Sequence, residues 1–234
     1  MTIRIEDDGP ARVITIVRPA ARNAVDPETA AALYDAFLAF DQSEAAVAVL
    51  TGEGAAFCAG FDLKRAAGGM DEDWYLRHAI RVAEDFAGAP RPGPMGPTRL
   101  RLAKPVIAAI EGPAVAGGME LALWCDLRVM AEDAFMGVFC RRWGVPLIDG
   151  GAIRLPRIVG QGRALDLILT GRRIGAAEAL SWGLADRVAA SGAALATAIS
   201  LGREIARHPQ GCMRADRGVA LDQWSLAPGA AFAR

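Results

Sequence analysis

Histidine is scarce in this sequence, and its cysteines are few and widely separated. Two histidines, His78 and His208, occur in 234 residues. No two cysteines form a Cys-x-x-Cys pair, so the ligand spacing typical of a zinc site is lacking. We therefore expect no bound metal and free thiols, as in a cytosolic protein. The cysteines are Cys58, Cys125, Cys140 and Cys212.

An excess of charge of either sign is lacking as well. The chain has 26 basic and 27 acidic residues, for a formal net charge of −1. This balance gives no overall attraction to nucleic acid, so an anionic ligand must be held by a local site. Charges interrupt every apolar stretch before it reaches the length of a membrane span, and the N-terminus has no signal-peptide core. We expect a cytoplasmic protein without nucleic-acid or membrane partners.

Common motifs of nucleotide-binding and hydrolytic enzymes are also absent. No glycine-rich stretch continues into Gly-Lys-Ser/Thr, which excludes a P-loop, and none has the Gly-x-Gly-x-x-Gly spacing of a Rossmann site. The Gly-x-Ser-x-Gly elbow is missing, and a Ser-His-Asp triad has two candidate histidines at most.

The residues that are present favour an α/β fold. Apolar residues make up 53% of the chain, enough for a sizeable core. Alternation over 3–7 and 13–17 predicts a hairpin, and Asp26-Pro27 predicts the start of a helix. Strands and helices then alternate, which is typical of the α/β class. Further strands are predicted at 46–51, 105–110, 127–131 and 135–138, and helices at 71–88, 119–125, 163–169, 176–182 and 193–206.

Two stretches are predicted to be irregular. Residues 90–97 contain four prolines, which remove backbone donors, and we expect a surface loop there. Residues 112–118 are mostly small and predict a loop between a buried strand and a helix.

This second loop is the most informative part of the sequence. It leads through Gly117-Gly118 into a helix whose first amides lack intrahelical partners and lie at the positive end of the helix dipole. Such amides suit an anion or a developing oxyanion, and Glu120 lies beside them in the first turn. From the spacing alone, a Gly-Gly turn and a glutamate that complements the dipole explain the pattern equally well. Another glycine loop, 54–64, follows the strand at 46–51 and by itself is typical of an ordinary βα turn.

Together, these loops resemble those of the crotonase superfamily, the enoyl-CoA hydratase/isomerase family. The resemblance covers about residues 14–188, and the order and spacing of its pieces are specific. It implies a spiral of ββα units with a helical C-terminal region, assembled as a homotrimer or a dimer of trimers. We expect a core domain at 1–190 and a helical segment at 191–234 that is short for the family, either because the lid is shortened or because the sequence is incomplete. The matching pieces are Arg18-Pro19, Asn23-Ala24, 57–63, 107–137, Gly150-Gly151, 154–160, 169–174 and 183–188.

The resemblance also implies roles for individual residues. In this family two peptide N–H groups hold the oxygen of an acyl-CoA thioester, and the matching positions are Phe61 and Gly117. Glu120 matches an acid/base glutamate. Coenzyme A is part of the substrate, so no separate cofactor is expected. The implied substrate-binding residues, with Arg22 and Lys64 placed near phosphates, are Arg22, Ala24, Ala59, Asp62, Leu63, Lys64 and Gly118.

Two positions depart from the family pattern. Typical hydratases carry a second glutamate, whose place is taken here by Cys140, and a thiol is a poor substitute because its pKa is well above that of a carboxyl group. Asp149 is the nearest spare carboxylate and a further catalytic candidate, although a turn or cap role explains it as well. Some dienoyl isomerases and dehalogenases of the family carry an aspartate one position earlier.

The expected activity is therefore that of an enoyl-CoA hydratase-like lyase with Glu120 as acid/base. The missing glutamate keeps a single-base alternative open, either an enoyl-CoA isomerase or an acyl-CoA decarboxylase. A non-catalytic acyl-CoA-binding relative is the alternative from another class.

Overall fold

The computed structural model of the chain describes residues 1–78, 90–227 and 229–230. The helix predicted at 71–88 is confirmed over Glu72–His78, and the rest of that prediction lies outside the described residues.

Nine strands form two sheets in the described ranges. The larger sheet has the order β1-β2-β3-β4-β6-β9, and the smaller has the order β5-β7-β8. The hairpin between β1 and β2 is antiparallel, as predicted, and the remaining pairs of the larger sheet are parallel. The strands are β1 Ile3–Asp8, β2 Ala11–Ile16, β3 Val47–Gly52, β4 Val106–Ile110, β5 Pro113–Val115, β6 Leu127–Ala131, β7 Phe135–Gly137, β8 Arg173–Gly175 and β9 Arg187–Ala189.

Helices alternate with these strands and confirm the α/β class. Asp26 caps the first helix by accepting a hydrogen bond from the Thr29 amide, as the Asp-Pro signal predicted. The helices are α1 Pro27–Asp41, α2 Leu63–Ala67, α3 Glu72–His78, α4 Gly117–Trp124, α5 Gly151–Val159, α6 Gln161–Thr170, α7 Ala176–Trp182, α8 Ala194–Ala206 and α9 Gln210–Asp222, with 3₁₀ turns at Pro19–Ala21, Pro97–Arg99, Phe139–Trp143 and Gln223–Ser225.

The chain is built from repeated strand–strand–helix units. In one unit β4 lies in the larger sheet, β5 lies in the smaller sheet, and α4 follows. The next unit is β6, β7 and a helical stretch that ends in α5. The prediction that 112–118 is a loop is wrong: its middle pairs with β7, a contact with a distant segment that no local pattern reveals.

The core lies around the centre of the larger sheet. Every residue of β3 and β4 is buried, which explains why both strands read as continuous apolar runs. Helix α8 packs on β3, β4 and β6. No helix in the ranges 1–78, 90–227 and 229–230 is long and apolar enough to cross a membrane.

Candidate active site

The two glycine loops meet because they leave neighbouring strands. Strands β3 and β4 run parallel, so the loops that follow them emerge at the same edge of the sheet. The Cys58 amide donates to the carbonyl of Pro113 over 3.1 Å, and the Val115 amide donates to the carbonyl of Cys58 over 3.0 Å. These bonds align the first loop with β5 and the start of α4.

Glycines allow the two backbones to touch. A Cβ on Gly60 would lie 2.9 Å from the backbone nitrogen of Gly117, and a Cβ on Gly118 would lie 2.1 Å from the carbonyl oxygen of Cys58. Gly60 also has a φ of +96°, a conformation that side chains rarely allow. Close approach is therefore the physical reason for the glycines that the sequence shows at these positions.

The amides of Phe61 and Gly117 are both free for a ligand. The carbonyl of Gly60 accepts from the Val25 amide, and the Asp62 amide donates to the Val25 carbonyl. The N–H of Phe61, between these two bonds, is therefore directed away from Val25. Gly117 is the first residue of α4 and has no intrahelical acceptor. Neither amide donates a hydrogen bond to any group of the described residues. The Gly117 nitrogen would lie 2.9 Å from a Cβ on Gly60, the residue before Phe61, so the two amides belong to neighbouring parts of the backbone.

Ala116, immediately before α4, has a strained backbone. Its φ of +53° with ψ −125° lies in a region that residues with a Cβ rarely occupy. Its amide donates to the carbonyl of Gly137 over 2.9 Å, which holds this conformation. Strain of about 1–3 kcal/mol at one residue is most often found where the backbone is fixed for function.

Glu120 lies in the first turn of α4, with a side chain only 3% exposed. Its Oε1 accepts hydrogen bonds from the amides of Asp149 and Gly151, each over 2.9 Å. The glutamate thereby caps the N-terminus of α5. Its Oε2 accepts no hydrogen bond from the described part of the chain, so this oxygen is the one available to a substrate or water.

The surroundings of Glu120 favour its neutral form. Burial, and then the negative charge of Asp149, raise the pKa of the Glu120 carboxyl group to about 8, against the opposing effect of the two amides. A carboxyl group with such a pKa carries a proton at neutral pH and releases it readily. This property is typical of a group that exchanges protons with a substrate.

Cys140 is buried in the 3₁₀ turn Phe139–Trp143, close enough to Glu120 for its charge to act on the thiol. Burial raises the pKa of the Cys140 thiol, and the charge of Glu120 raises it further. A thiol that stays protonated at neutral pH cannot serve as a base.

Asp149 is also buried, and its side chain holds other parts of the chain. Its Oδ1 accepts hydrogen bonds from the amide of Met95 and the hydroxyl of Thr98. Its carbonyl accepts from the guanidinium of Arg154, over 2.8 Å. Burial raises the pKa of Asp149, while the hydrogen bond from Thr98 opposes the shift.

The predicted substrate-binding residues lie on two adjacent segments. The Ala59 amide donates to the carbonyl of Arg22 over 3.0 Å, and the bridge between Val25 and Phe61 continues this contact. The side chains of Arg22 and Lys64 are exposed and form no ion pair with other described residues. Also on these segments are Ala24, Asp62 and Leu63, and Gly118 lies in α4.

The Asp62 carboxylate is already occupied by internal contacts. It pairs with Arg18 over 3.0 Å and caps α2 through the amides of Lys64 and Arg65. Burial is the largest single effect and opposes ionisation of Asp62, but the bond and charge of Arg18 together with the amides of Arg65 and Lys64 lower the pKa of the carboxyl group.

The sequence did not reveal the part played by residues 90–97. The prediction of a surface loop at 90–97 is wrong for residues 93–97, which are buried, as is Thr98 after them. Met95 packs on the start of α4, where its Sδ would lie 2.5 Å from a Cβ on Gly117. Met95, Thr98 and Arg154 were therefore missed as site residues. The bonds of Met95 and Thr98 to Asp149, and of Arg154 to Thr98, each cross more than 50 positions and leave no local pattern.

Comparison with known proteins identifies the family of the chain. The sequence profile described as Enoyl-CoA hydratase/isomerase matches residues 9–88 and 95–218. The chain belongs to the enoyl-CoA hydratase/isomerase family. This is the crotonase superfamily indicated by the sequence, and the α/β spiral of ββα units is the crotonase fold.

Relatives within the family carry hydratase and dehydratase names. The chain is 37% identical over 212 residues to Enoyl-CoA hydratase EchA19 of Mycobacterium tuberculosis, covering 87% of this chain and 74% of the relative. Identity to Carnitinyl-CoA dehydratase of Salmonella arizonae is 39% over 207 residues, with the same coverage. The solved structure of enoyl-CoA hydratase EchA1 from Mycobacterium marinum superposes with a TM-score of 0.88 at 33% identity, covering 99% of this chain and 86% of that one.

Proposed function

We propose that this chain is an enoyl-CoA hydratase-like enzyme that acts on an acyl-CoA thioester. The amides of Phe61 and Gly117 hold the thioester oxygen, and Glu120 is the acid/base. One observation carries the proposal: a buried glutamate with a raised pKa lies one turn from Gly117, whose free amide adjoins Gly60.

The proposed reaction adds water across the double bond beside the thioester. The water oxygen bonds to C3, and the electron pair of the double bond moves to C2 and the thioester oxygen. The two amides stabilise the resulting enolate, and removing one such donor typically costs about 10²–10³ in rate. Glu120 Oε2 exchanges protons with C2 and water, so the carboxyl group ends in its starting state.

A single-base reaction is the second candidate, and Cys140 supports it. By the family resemblance the thiol takes the place of the second glutamate. Its raised pKa keeps it protonated, so on this proposal Glu120 has no carboxylate partner at that position. In this alternative Glu120 moves one proton between C2 and C4 of an enoyl-CoA, or protonates the enolate that follows decarboxylation.

Product analysis separates these activities. Purified protein is incubated with crotonyl-CoA, a 3-enoyl-CoA, methylmalonyl-CoA and carnitinyl-CoA, the last chosen from the names of the relatives. A 3-hydroxyacyl product from crotonyl-CoA supports hydration. A shifted double bond or a lost carboxyl group, without hydration, supports the single-base reaction.

The role of Glu120 is tested by Glu120→Gln. Because the amide oxygen still accepts from Asp149 and Gly151, the fold is expected to persist while kcat falls by about 10²–10⁴. Calorimetric titration with coenzyme A should give an unchanged Kd. Turnover at the wild-type rate would show that Glu120 is not the acid/base.

Binding and assembly form the remaining parts of the proposal. We propose that Arg22 and Lys64 meet the phosphates of coenzyme A, that the core spans residues 1–190 with a helical segment at 191–234, and that the protein is a cytoplasmic homotrimer or dimer of trimers. The free, exposed side chains of both basic residues support the first part.

A further inference from the structure

Asp149 connects three parts of the site through separate groups. Its amide donates to Oε1 of Glu120, and its carboxylate accepts from the Met95 amide and the Thr98 hydroxyl. Its carbonyl accepts from Arg154, which also donates to the carbonyl of Thr98. Amide, carbonyl and carboxylate are thus all bonded.

The Asp149 carboxylate is placed where it cannot reach a substrate freely. It is only 3% exposed, and the buried loop 93–98 covers it. A Cβ on Gly93 would lie 2.4 Å from Oδ1, so the loop approaches as closely as a glycine allows. Direct acid or base catalysis by Asp149 is not supported by this enclosure.

Burial raises the pKa of both carboxyl groups, and the negative charge of Asp149 adds to the shift at Glu120. Asp149 Oδ1 receives two donors, one of them a hydroxyl, and the arginines at 99 and 154 favour its ionised form. Glu120 is left with an unbonded Oε2 as the place for a proton. The other groups that act electrostatically on this pair are Cys140 and Arg154 for Glu120, and His78 for Asp149.

We infer that Asp149 is a positioning residue: its carboxylate fixes the loop that carries Met95, its amide orients Glu120, and its negative charge keeps the proton on Oε2 of Glu120. Glu120 therefore enters the reaction as an acid. The inference rests on the proposed function, and it adds a residue that acts through Glu120 without touching the substrate.

The test removes the charge of Asp149 and keeps the shape of its side chain. In Asp149→Asn the side-chain oxygen still accepts from Met95 and Thr98, but the negative charge is gone. The midpoint of the pH profile of kcat/KM for crotonyl-CoA, which reports Glu120 ionisation, should fall by about one pH unit or more relative to the wild type. The matched control is Thr98→Ser, which keeps the hydroxyl donor to Asp149 and removes one methyl group from the loop, and its profile should keep the wild-type midpoint.

Infrared spectroscopy follows the Glu120 proton without turnover. At neutral pH the wild type should show a protonated carboxyl band that is absent in Glu120→Gln. As the pH is raised, this band should disappear at a lower pH in Asp149→Asn than in the wild type. A rate reduced equally at all pH values, with an unmoved band, would show that Asp149 only anchors the loop. An ionised Glu120 in the wild type at neutral pH would overturn the inference even if Asp149→Asn failed to fold. Because the band needs no substrate, lack of activity toward every thioester would refute the proposed function alone.

Discussion

Glu120 shows how one residue combines a structural and a chemical task. Its Oε1 satisfies two amides at the start of α5, which otherwise have no intrahelical acceptor. Its burial beside Asp149 raises the pKa of the same carboxyl group to about 8. Glu120 thereby keeps its proton at neutral pH, and the fold loses stability at higher pH, where this buried carboxyl group must ionise.

That cost is measurable as a pH dependence. Between the ordinary pKa of 4.5 and the folded value of about 8, the folded chain keeps a proton that the unfolded chain has released. Stability from this group therefore falls as pH rises through that range. The free energy of unfolding of Glu120→Gln, taken relative to that of the wild type, should therefore be roughly 2–4 kcal/mol higher at pH 9 than at pH 5. Urea unfolding at several pH values measures this gain, and a difference independent of pH would contradict it.

At the scale of secondary-structure elements, the contact between the glycine loop 54–64 and helix α4 depends on glycine. Gly118 lies against the backbone of Cys58, which has no flexible end to move aside. This contact sets the separation of the loop that carries Phe61 from the helix that carries Gly117.

Gly118→Ala should therefore be strongly destabilising. A Cβ 2.1 Å from the Cys58 carbonyl oxygen forces the two elements apart, and we expect a loss of about 2–4 kcal/mol together with most activity. Gly162→Ala is the control, because a Cβ there meets nothing within 4 Å in helix α6. The control should be neutral or stabilised by up to about 1 kcal/mol. Thermal unfolding compares the two, and equal melting temperatures would contradict the argument.

At the scale of the whole molecule, large apolar side chains remain exposed on contacting elements. Trp143 is 71% exposed, Ile153 58% and Leu169 72%. The 3₁₀ turn and α5, which carry the first two, both pack on α6, which carries the third. Exposed apolar groups on neighbouring elements are typical of a subunit interface.

The proposed assembly is tested by placing a charge on this surface. Wild type should elute in light-scattering chromatography with the mass of three or six chains. Leu169→Glu should shift it toward monomer with an unchanged circular dichroism spectrum, because a charge buried in an interface is costly. Ile5→Glu, on edge strand β1, is the control and should keep the wild-type mass. A monomeric wild type would refute the assembly.

Local patterns determined much of the fold. The period-2 hairpin, the Asp26 cap and the apolar runs of β3 and β4 depend on neighbours in sequence, and helix α7 was predicted over its full length. Helix α5 was missed because Pro156 lies inside it and its N-terminus is capped by Glu120, 31 residues away. The division at residue 190 stays a prediction, although α8 packs on the larger sheet and α9 buries no residue.

The sequence by itself determined the fold class, the family resemblance, and Phe61, Gly117 and Glu120 as candidates, since these depend on short motifs in a specific order. The tertiary structure alone decided that Asp149 holds the loop 93–98, that Met95 covers Gly117, and that Cys140 is a buried protonated thiol. The physical reason is that burial and electrostatics depend on groups that folding brings together from distant positions. No pattern within one segment contains that information.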